Sequence, residues 1–232
     1  MADWECNEGS GRFLNNLASP ADSGLLQNHA ALRGGALDLD GTDDYVNCGT
    51  RLLASLAGAF TVGVKVRWTS GTQVPAVGFN ASDTSPSLAP VWTPGRSLAY
   101  LGGSNYRYFS HAPVDVDDGA WHDLHFVVTG PAQADIASSS LYADGRAQTV
   151  STTVQTDVRG TITVCYIGRV RTLYWAGGLD RVRVWSRALL PSEVAWLAAE
   201  PYAMIADPSP RRYFIFKSEE AASTSWIGGG FW

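Results

Sequence analysis

Hydrophobic and polar residues alternate with a period of two along much of this chain. The clearest case is the segment 60–68, in which every second residue is apolar and Lys65 and Arg67 stand at intervening positions. Such alternation is typical of an antiparallel strand with one face in a core and the other towards solvent. The same pattern predicts further strands around Leu37 and Leu39, around Leu124, Phe126 and Val128, around Ile162, Val164 and Tyr166, and around Val182 and Val184.

Pairs of residues that contain glycine separate these segments and predict tight turns. The pair Asp144-Gly145 stands between the β-prone residues 141–143 and 148–150, and it predicts a hairpin. Similar pairs are Gly34-Gly35, Asp40-Gly41, Gly102-Gly103, Asp118-Gly119 and Gly177-Gly178. Many short strands with this spacing predict an all-β fold in which two antiparallel sheets pack as a sandwich.

One helix is predicted, over residues 190–199. Pro191 suits the first helical position, and Glu193 follows near the positive end of the helix dipole. The apolar stripe of this helix, which we expect to dock on the sheet edge, consists of Val194, Leu197 and Ala198.

The composition agrees with one large sandwich and argues against two kinds of partner. Of the 232 residues, 45% are hydrophobic and 17% are charged, which is enough apolar surface for a sizeable core. The net charge is −5 and the basic residues are scattered, so the positive face that nucleic acid binding requires is not predicted. No run of about 18 apolar residues occurs, so no membrane-spanning helix is predicted.

The three cysteines, Cys6, Cys48 and Cys165, are widely spaced and include no Cys-x-x-Cys pair. They predict free, mostly buried thiols in a protein made in a reducing cytosol. The segment from Met1 to Cys6 has neither the basic nor the apolar region of a signal peptide. We therefore expect synthesis in a host cytoplasm without a signal peptide.

A series of segments in chain order carries a family resemblance: residues 4–11, 36–46, 118–122, 141–145, 166–169 and 175–189. Together they resemble the laminin-G-like, concanavalin A-like jelly-roll family, and the last segment is the most specific. The resemblance implies a jelly-roll domain over residues 1–200, followed by a C-terminal arm over residues 201–232. Two positions depart from the family pattern: Arg181 stands where an acid is usual, and Leu190 where a Ser or Thr N-cap is expected.

The family that the chain resembles includes lectins, adhesion modules and retaining glucanases, so the fold alone does not decide its function. A retaining glucanase needs two carboxylates about 5–5.5 Å apart, which on a strand means Glu-x-Asp-x-Glu. The chain has no such sequence among its glutamates, which are Glu5, Glu8, Glu193, Glu200, Glu219 and Glu220. We therefore predict that the protein is not an enzyme and requires no cofactor.

The resemblance also implies a structural calcium ion near the N-terminal turns. The ligands that it implies are Glu8, Asp22, Asn28 and Asp180, which offer the oxygen atoms that Ca²⁺ prefers. In the alternative interpretation these side chains close turns, as Asp and Asn do routinely. Asp43 and Asp44 could serve instead, although a turn before Tyr45 explains them equally well.

Aromatic residues make up 11% of the chain and include 9 Trp, more than a core of this size requires. We therefore expect some of them in binding or assembly surfaces. The candidates for stacking on sugar rings, in or near loops that follow strands, are Trp92, Tyr100, Tyr106, Tyr108 and Trp175. The alternative is that half of these side chains belong to the sandwich core.

The character of the sequence changes after residue 200. A proline-containing linker at 207–210 leads into a β-prone stretch, and a run of glycines precedes the last aromatic residues. We predict that the arm adds a strand to the sheet edge of a neighbouring subunit; docking on its own domain is the alternative. The residues predicted to mediate assembly are Arg211, Arg212, Tyr213, Phe214, Phe216, Trp226 and Trp232.

Two functions remain open at this point. The arm is similar to the ends of laminin-G-like proteins encoded by tailed bacteriophages, which implies a non-enzymatic virion protein: a capsid decoration, head-fibre or tail component. Its partners would be other virion proteins or further copies of itself, and cell-surface glycans are a further candidate ligand. The alternative is a stand-alone carbohydrate-binding, lectin-like module.

Overall fold

The computed structural model describes residues 2–5, 13–14, 23–50, 58–68, 74–82, 85–93, 96–100, 106–110, 112–130, 138–154 and 164–200. Their strands, numbered along the chain, form two large antiparallel sheets and one small hairpin, and a short helix follows. This architecture confirms the predicted all-β sandwich. No helix within these ranges is long and apolar enough to cross a membrane.

Two long strands, β7 (Phe60–Trp68) and β20 (Ala176–Trp185), pair at the centre of the first sheet. Strand β7 has the bounds that the alternation predicts. On the far side of β7 follow β13 (His122–Val128), β14 (Ser140–Ala143) and β15 (Arg146–Ala147). On the far side of β20 lie β5 (Ala36–Asp40) and then β4 (Ala31–Arg33), and β1 (Ala2–Glu5) also pairs with β20.

The second sheet faces the first across the core. In spatial order it consists of β16 (Val150–Val154), β12 (Tyr106–Ser110), β11 (Arg96–Tyr100), β10 (Ser85–Thr93), β9 (Val77–Ser82), β17 (Val164–Ile167), β6 (Tyr45–Gly49), β3 (Gly24–Gln27) and β2 (Phe13–Leu14). Strand β8 (Val74–Pro75) pairs with β10. The separate hairpin joins β18 (Arg169–Val170) to β19 (Leu173–Tyr174).

Alternate residues of facing strands fill the core between the two sheets. On β7, Phe60, Val62 and Val64 are at most 3% exposed, whereas Arg67 on the other face is exposed. Each fully buried side chain of this kind contributes roughly 1.5–3 kcal/mol to stability. The core also contains Leu37, Leu39, Leu124, Phe126, Leu179 and Val182 from the first sheet, and Leu26, Val46, Val77, Phe79, Phe109 and Ile167 from the second.

Two local predictions are confirmed. Asp144 and Gly145 connect β14 to β15 in a tight turn with φ values of 48° and 76°, the left-handed conformation that Asp and Gly tolerate best. Cys48 and Cys165 are buried, as predicted, and no disulfide joins these two, whereas Cys6 lies outside the described residues.

The helix α1 (Pro191–Ala199) packs on the outer face of the first sheet. Its buried residues Val194 and Leu197 contact a small apolar cluster that includes Val127 and Trp185. The helix lies beside Gly145 of the edge hairpin, as expected, but it also covers Val127 and Trp185 on the inner strands β13 and β20. An apolar patch on the outer face of these strands attracts the helix there.

The start of α1 is stabilised without an N-cap side chain. The carboxylate of Glu193 accepts a hydrogen bond of 2.8 Å from the backbone N–H of Leu190, the residue that occupies the N-cap position. The same carboxylate binds both terminal nitrogens of Arg187 at 2.7 Å. Glu193 therefore makes its own half of a capping box, and its backbone N–H, which a Ser or Thr side chain would accept, donates to the carbonyl of Leu190 at 3.0 Å.

The buried ring of His122 connects the turn before β13 to the β14–β15 hairpin. Its Nε2 lies 2.9 Å from a carboxylate oxygen of Asp118, and its Nδ1 lies 2.8 Å from one of Asp144. Both ring nitrogens face carboxylate acceptors, and since only the protonated ring donates from both nitrogens, this arrangement favours the cation. Burial lowers the pKa of His122, but the hydrogen bonds to the two carboxylates outweigh it, and the net pKa is raised.

Replacing His122 with Gln should lower the free energy of unfolding by about 1–3 kcal/mol at pH 5.5, because both charged hydrogen bonds are lost. A raised folded-state pKa means that this stabilisation is full below the unfolded-state value of about 6.5 and is lost as the pH rises through the folded value. Urea unfolding of the wild type and His122→Gln at pH 5.5 and 8.5 measures the difference. An equal difference at both pH values would contradict a charged ring.

Candidate functional site

The tyrosines and tryptophan predicted to stack on sugars mostly lie within the second sheet. Trp92 is in β10, Tyr100 ends β11, and Tyr106 and Tyr108 belong to β12. The register brings Tyr100 directly opposite Tyr106. Of these four side chains, only that of Tyr108 is within the described part of the chain, and it is half-buried. They remain candidates.

Trp175, the fifth candidate for sugar stacking, belongs to the core. Its side chain is 0% exposed, so no ring face is available to a ligand. The reason is local: its backbone N–H donates to the carbonyl of Gly168 at 2.8 Å, which closes the segment 168–175 and leaves the ring pointing inwards. The prediction of Trp175 as a binding residue is therefore wrong.

The predicted calcium ligands are only partly within the described residues, since Glu8 and Asp22 lie outside them. Asn28 donates its side-chain amide to the backbone carbonyl of Asp43 at 2.5 Å. Asp180 forms an ion pair of 3.0 Å with Lys65 on β7. The two described candidates thus have separate protein partners; Asn28 bonds a turn, as in the alternative interpretation, whereas Asp180 lies within β20 and forms an ion pair that neither interpretation predicted.

A different group of side chains has the spacing of metal ligands. Ligand atoms of His29, Asp43 and Asp44 all lie within 4.8 Å of one another. The buried carboxylate of Asp44 accepts the backbone N–H groups of His29 at 2.8 Å and of Asp40 at 3.3 Å. These bonds close the turn before β6, so Asp44 has a structural role of the kind that the sequence suggested.

Four side chains gather on the outer face of the second sheet. The guanidinium carbon of Arg169 lies 4.8 Å from the ring centroid of Tyr45 and 5.1 Å from that of Tyr166. It also lies 5.7 Å from the ring centroid of Tyr174. The rings of Tyr45 and Tyr166 meet edge to face, with centroids 5.4 Å apart. All four residues are half-buried, and we call them the tyrosine–arginine surface.

Strand alternation and one close backbone approach create this surface. Val46 and Ile167 are fully buried, so their chain neighbours Tyr45 and Tyr166 project to the outer face. The β18–β19 hairpin folds back over that face at Gly78, where a Cβ atom would overlap the carbonyl oxygen of Arg169. The absence of a side chain at Gly78 therefore lets the hairpin carry Arg169 and Tyr174 over the sheet.

The tyrosine–arginine surface combines apolar ring faces with hydrogen-bonding groups. Each tyrosine offers an aromatic ring and a hydroxyl group, and the guanidinium is oriented by a bond of 2.9 Å from its Nε to the carbonyl of Arg171. Cation–π contacts with the rings hold it further. Sequence reasoning missed these residues as a site, although Tyr166 and Arg169 stand in one of the family-like segments.

A second polar cluster lies on the outer face of the first sheet, beside α1. Arg181 approaches the carboxylate of Asp123 at 3.4 Å, which accounts for a basic residue where the family has an acid. His125 and Arg183 line the same cleft, together with Leu197 of the helix. The cleft has room for about one water molecule.

Burial dominates the electrostatics of this cleft. It raises the pKa of Asp123 to about 6, against the opposing effect of Arg181 and neighbouring cations. It lowers the pKa of His125 to about 3, so that ring is neutral at physiological pH. The cleft is too small for a sugar ring, and its charges are arranged as a structural cluster under the helix.

Comparison with protein families and with solved structures places this geometry among known folds. A laminin G family model, described as Concanavalin A-like lectin/glucanases superfamily, matches residues 40–195. Comparison with curated proteins yields no match. A Trypanosoma rangeli sialidase, in complex with a difluorinated nononic acid, superposes with a TM-score of 0.65 at 14% identity, over 89% of this chain and 33% of that one. The chain thus spans about a third of the sialidase.

Two further structures are similar over most of this chain. Domain 4 of AbnA, a GH43 extracellular arabinanase from Geobacillus stearothermophilus in complex with arabinotriose, has a TM-score of 0.56 at 16% identity, over 85% of this chain and 97% of that one. A structure of botulinum neurotoxin type C, whose cell entry is dependent upon interaction with two ganglioside molecules, has a TM-score of 0.59 at 9% identity. The match covers 86% of this chain and 50% of that one. These identities establish the fold alone.

Substituting Gly78 with Ala should displace the β18–β19 hairpin, because the new methyl group competes with the carbonyl of Arg169 for the same space. We expect the free energy of unfolding to fall by about 1–3 kcal/mol, as overpacking does elsewhere, and the ring resonances of Tyr45 and Tyr166 to shift. Urea unfolding and NMR measure the two effects. Gly58→Ala, at a position with open space around the added methyl, is the matched control. Wild-type stability in Gly78→Ala would rule out the close approach.

Proposed function

We propose that this chain, which belongs to the concanavalin A-like lectin/glucanases superfamily, is a non-enzymatic carbohydrate-binding domain. Its glycan lies on the tyrosine–arginine surface of the second sheet. The observation that carries the proposal is the group of three half-buried tyrosine rings around one guanidinium. Ring faces stack on the apolar faces of sugars, while hydroxyl and guanidinium groups bind sugar hydroxyls.

The rigidity of this surface supports a binding role. Tyr45 and Tyr166 lie on paired strands in the middle of the second sheet. Arg169 and Tyr174 lie directly opposite each other in the hairpin that covers Gly78. Side chains that are already ordered lose little entropy when a ligand binds, so weak contacts suffice for useful affinity.

The similar structures support the same class of ligand. Domain 4 of the arabinanase is a separate domain that this chain matches over almost its whole length, and it was solved with arabinotriose. The neurotoxin and the sialidase are also proteins that interact with carbohydrate-containing molecules. This chain matches only about a third of the sialidase and half of the neurotoxin, so domain 4 of the arabinanase is the comparison that links a domain of this shape to a saccharide.

The positions of the described glutamates support a non-enzymatic role. Glu5 lies on the short strand β1, Glu193 is bound by Arg187, and Glu200 follows the end of α1. The retaining mechanism needs two neighbouring carboxylates, from Asp or Glu. Among the described glutamates, only Glu5 has an acid two residues away on its strand, Asp3, and β1 is a short strand off the main path of the first sheet. This position differs from the central strand that the glucanase pattern would occupy, and the proposal is therefore one of binding without hydrolysis.

Replacing Tyr166 with Ala should weaken glycan binding at least about tenfold, since truncation of a central aromatic anchor commonly costs more than 1.4 kcal/mol. A glycan array identifies the ligand, and isothermal titration calorimetry measures the affinities. Tyr166→Phe, which keeps the ring, should retain most of the affinity.

Tyr108→Ala tests the rival location, because Tyr108 is a half-buried tyrosine on β12 of the same sheet and remains one of the candidates from the sequence. If the glycan lies on the tyrosine–arginine surface, this variant should bind as the wild type does. Loss of binding in Tyr108→Ala with normal binding in Tyr166→Ala would move the site towards β12. Failure of the wild type to bind any glycan on the array would refute the proposed function.

Association into a larger assembly is a second candidate function. Trp196 on α1 is 44% exposed, close to the point where the arm of residues 201–232 begins. Exposed aromatic side chains of this size are enriched at association surfaces. The seven arm residues predicted to mediate assembly all lie outside the described residues, so the virion role and the bacteriophage origin stay predictions.

Deleting the arm tests this second function. If the arm joins subunits, the full chain should form a defined oligomer and a chain that ends at Tyr202 should be a folded monomer. Light scattering after size exclusion measures the mass, and circular dichroism controls for folding of the shortened chain. Two monomers of equal stability would show that the arm is not an assembly element.

A further inference from the structure

Two amide side chains stand beside the tyrosines on the outer face of the second sheet. Burial alternates along β6 and β3, so Asn47 and Gln27 are half-buried on the side away from the core. The register places Asn47 directly opposite Tyr166. It places Gln27 directly opposite Tyr45. Side chains paired in this way have Cβ atoms about 4.5–5.5 Å apart, so each amide stands next to a tyrosine of the proposed site.

One hydrogen bond fixes the direction of the Asn47 amide. Its Oδ1 accepts the backbone N–H of Gly49 at 2.9 Å, so the amide nitrogen points to the opposite side. In the described part of the chain, this nitrogen, Nδ2, has no hydrogen-bond partner. Asn47 therefore offers donors of fixed direction from the middle of a strand, where asparagine is an unfavourable residue.

The amide of Gln27 is oriented in the opposite sense. Its Nε2 donates to the backbone carbonyl of Leu25 at 3.4 Å, which leaves Oε1 as an acceptor without a hydrogen-bond partner among the described residues. Leu25 is the residue opposite Asn47, so this bond draws the Gln27 amide along β3 towards the level of Asn47.

A gap with two different walls separates these amides. Asn47 and Gln27 are diagonal neighbours on paired strands, which places them about 7–8 Å apart at the backbone. Within the described residues no hydrogen bond joins the two side chains. The gap therefore has a donor on one side and an acceptor on the other.

We propose that Asn47 and Gln27 form a subsite for one saccharide hydroxyl beside the tyrosine–arginine surface. This inference rests on the proposed glycan-binding function and adds the chemical group that the domain selects. A hydroxyl both accepts and donates, so it accepts from Nδ2 of Asn47 while it donates to Oε1 of Gln27. A methyl ether only accepts, a deoxy position does neither, and a sulfate or carboxylate would face the lone pairs of Oε1.

The location of this hydroxyl subsite suits a sugar stacked on the tyrosines. Strands β17, β6 and β3 are neighbours in the sheet, whereas the β18–β19 hairpin approaches it at Gly78 on β9, on the far side of β17. The amides thus lie on the side of the tyrosines away from the hairpin. A stacked sugar directs its hydroxyls outwards from its edge, where a few placed polar groups decide its orientation and specificity.

The test uses the tightest ligand from the glycan array and analogues in which single hydroxyls are removed, methylated or sulfated. Isothermal titration calorimetry with the wild type should find one position at which the deoxy analogue binds roughly tenfold more weakly, because both amides then lose their partner. The methyl ether and the sulfate ester at that position should also bind weakly.

Asn47→Asp is the decisive variant, because it keeps the acceptor for the N–H of Gly49 and replaces the donor with a second acceptor. It should bind the parent glycan roughly tenfold more weakly and should bind the parent and the deoxy analogue equally. Urea unfolding should give a stability close to that of the wild type.

Asn28→Gly is the matched control. It removes an exposed amide one residue beyond Gln27, at a φ of 56° that glycine adopts readily. This variant should keep the wild-type ratio between the affinities for the parent glycan and for the deoxy analogue.

The outcomes separate the hydroxyl subsite from the proposed function. If Tyr166→Ala loses binding while Asn47→Asp keeps the wild-type ratio between parent and deoxy analogue, the hydroxyl subsite is wrong and glycan binding stands. If Asn47→Asp weakens the binding of both ligands by the same factor, the substitution acts through charge or folding, and the inference also fails. If no glycan binds to the wild type, the proposed function fails first.

Discussion

Strand β20 is buried on both faces, so its side chains must pack against the core on one side and against the outer layer, which includes α1, on the other. Leu179, Val182 and Val184 face the second sheet, whereas Arg183 and Trp185 face outwards beneath α1. A charged side chain in such a place needs a partner, because breaking a buried ion pair costs several kcal/mol. For Arg181 that partner is the carboxylate of Asp123 on β13, 3.4 Å away, while pairing with β7, β5 and β1 satisfies the backbone of β20.

The candidate binding surface depends on the same strand, because the β18–β19 hairpin leads directly into it. Trp175 stands between them and is fully buried, so it fixes the end of the hairpin to the core. Arg169 and Tyr174 are therefore held by packing at one end and by the approach to Gly78 at the other. A site supported in this way is more rigid than a site on a free loop, which favours affinity from few contacts.

The sequence predicts those parts of the structure that depend on local pattern. Strand β7 follows from strict alternation, and α1 follows from Pro191 and an apolar stripe. Trp175 was assigned to a surface because a single aromatic residue beside a hairpin has no periodic neighbours to show its direction. The tyrosine–arginine surface combines Tyr45, Tyr166 and Tyr174, which belong to separate strands. Only the pairing of β6 with β17 and the folding back of the hairpin bring these residues together. Such contacts depend on the register in which the strands pair, and composition and residue spacing do not determine that register.

The packing of the helix decides which sheet face is available for a ligand. On the first sheet, α1 covers Val127 and Trp185, and the cleft beside it has room for about one water molecule. That face carries charges, yet they are engaged with one another and enclosed. On the second sheet, the described element that covers the outer face is a two-stranded hairpin too narrow to bury Tyr45 and Tyr166 completely. In the described part of the chain, a helix closes one face and a hairpin covers the other only partly, so the aromatic residues are presented on the second face, where the proposed glycan would bind.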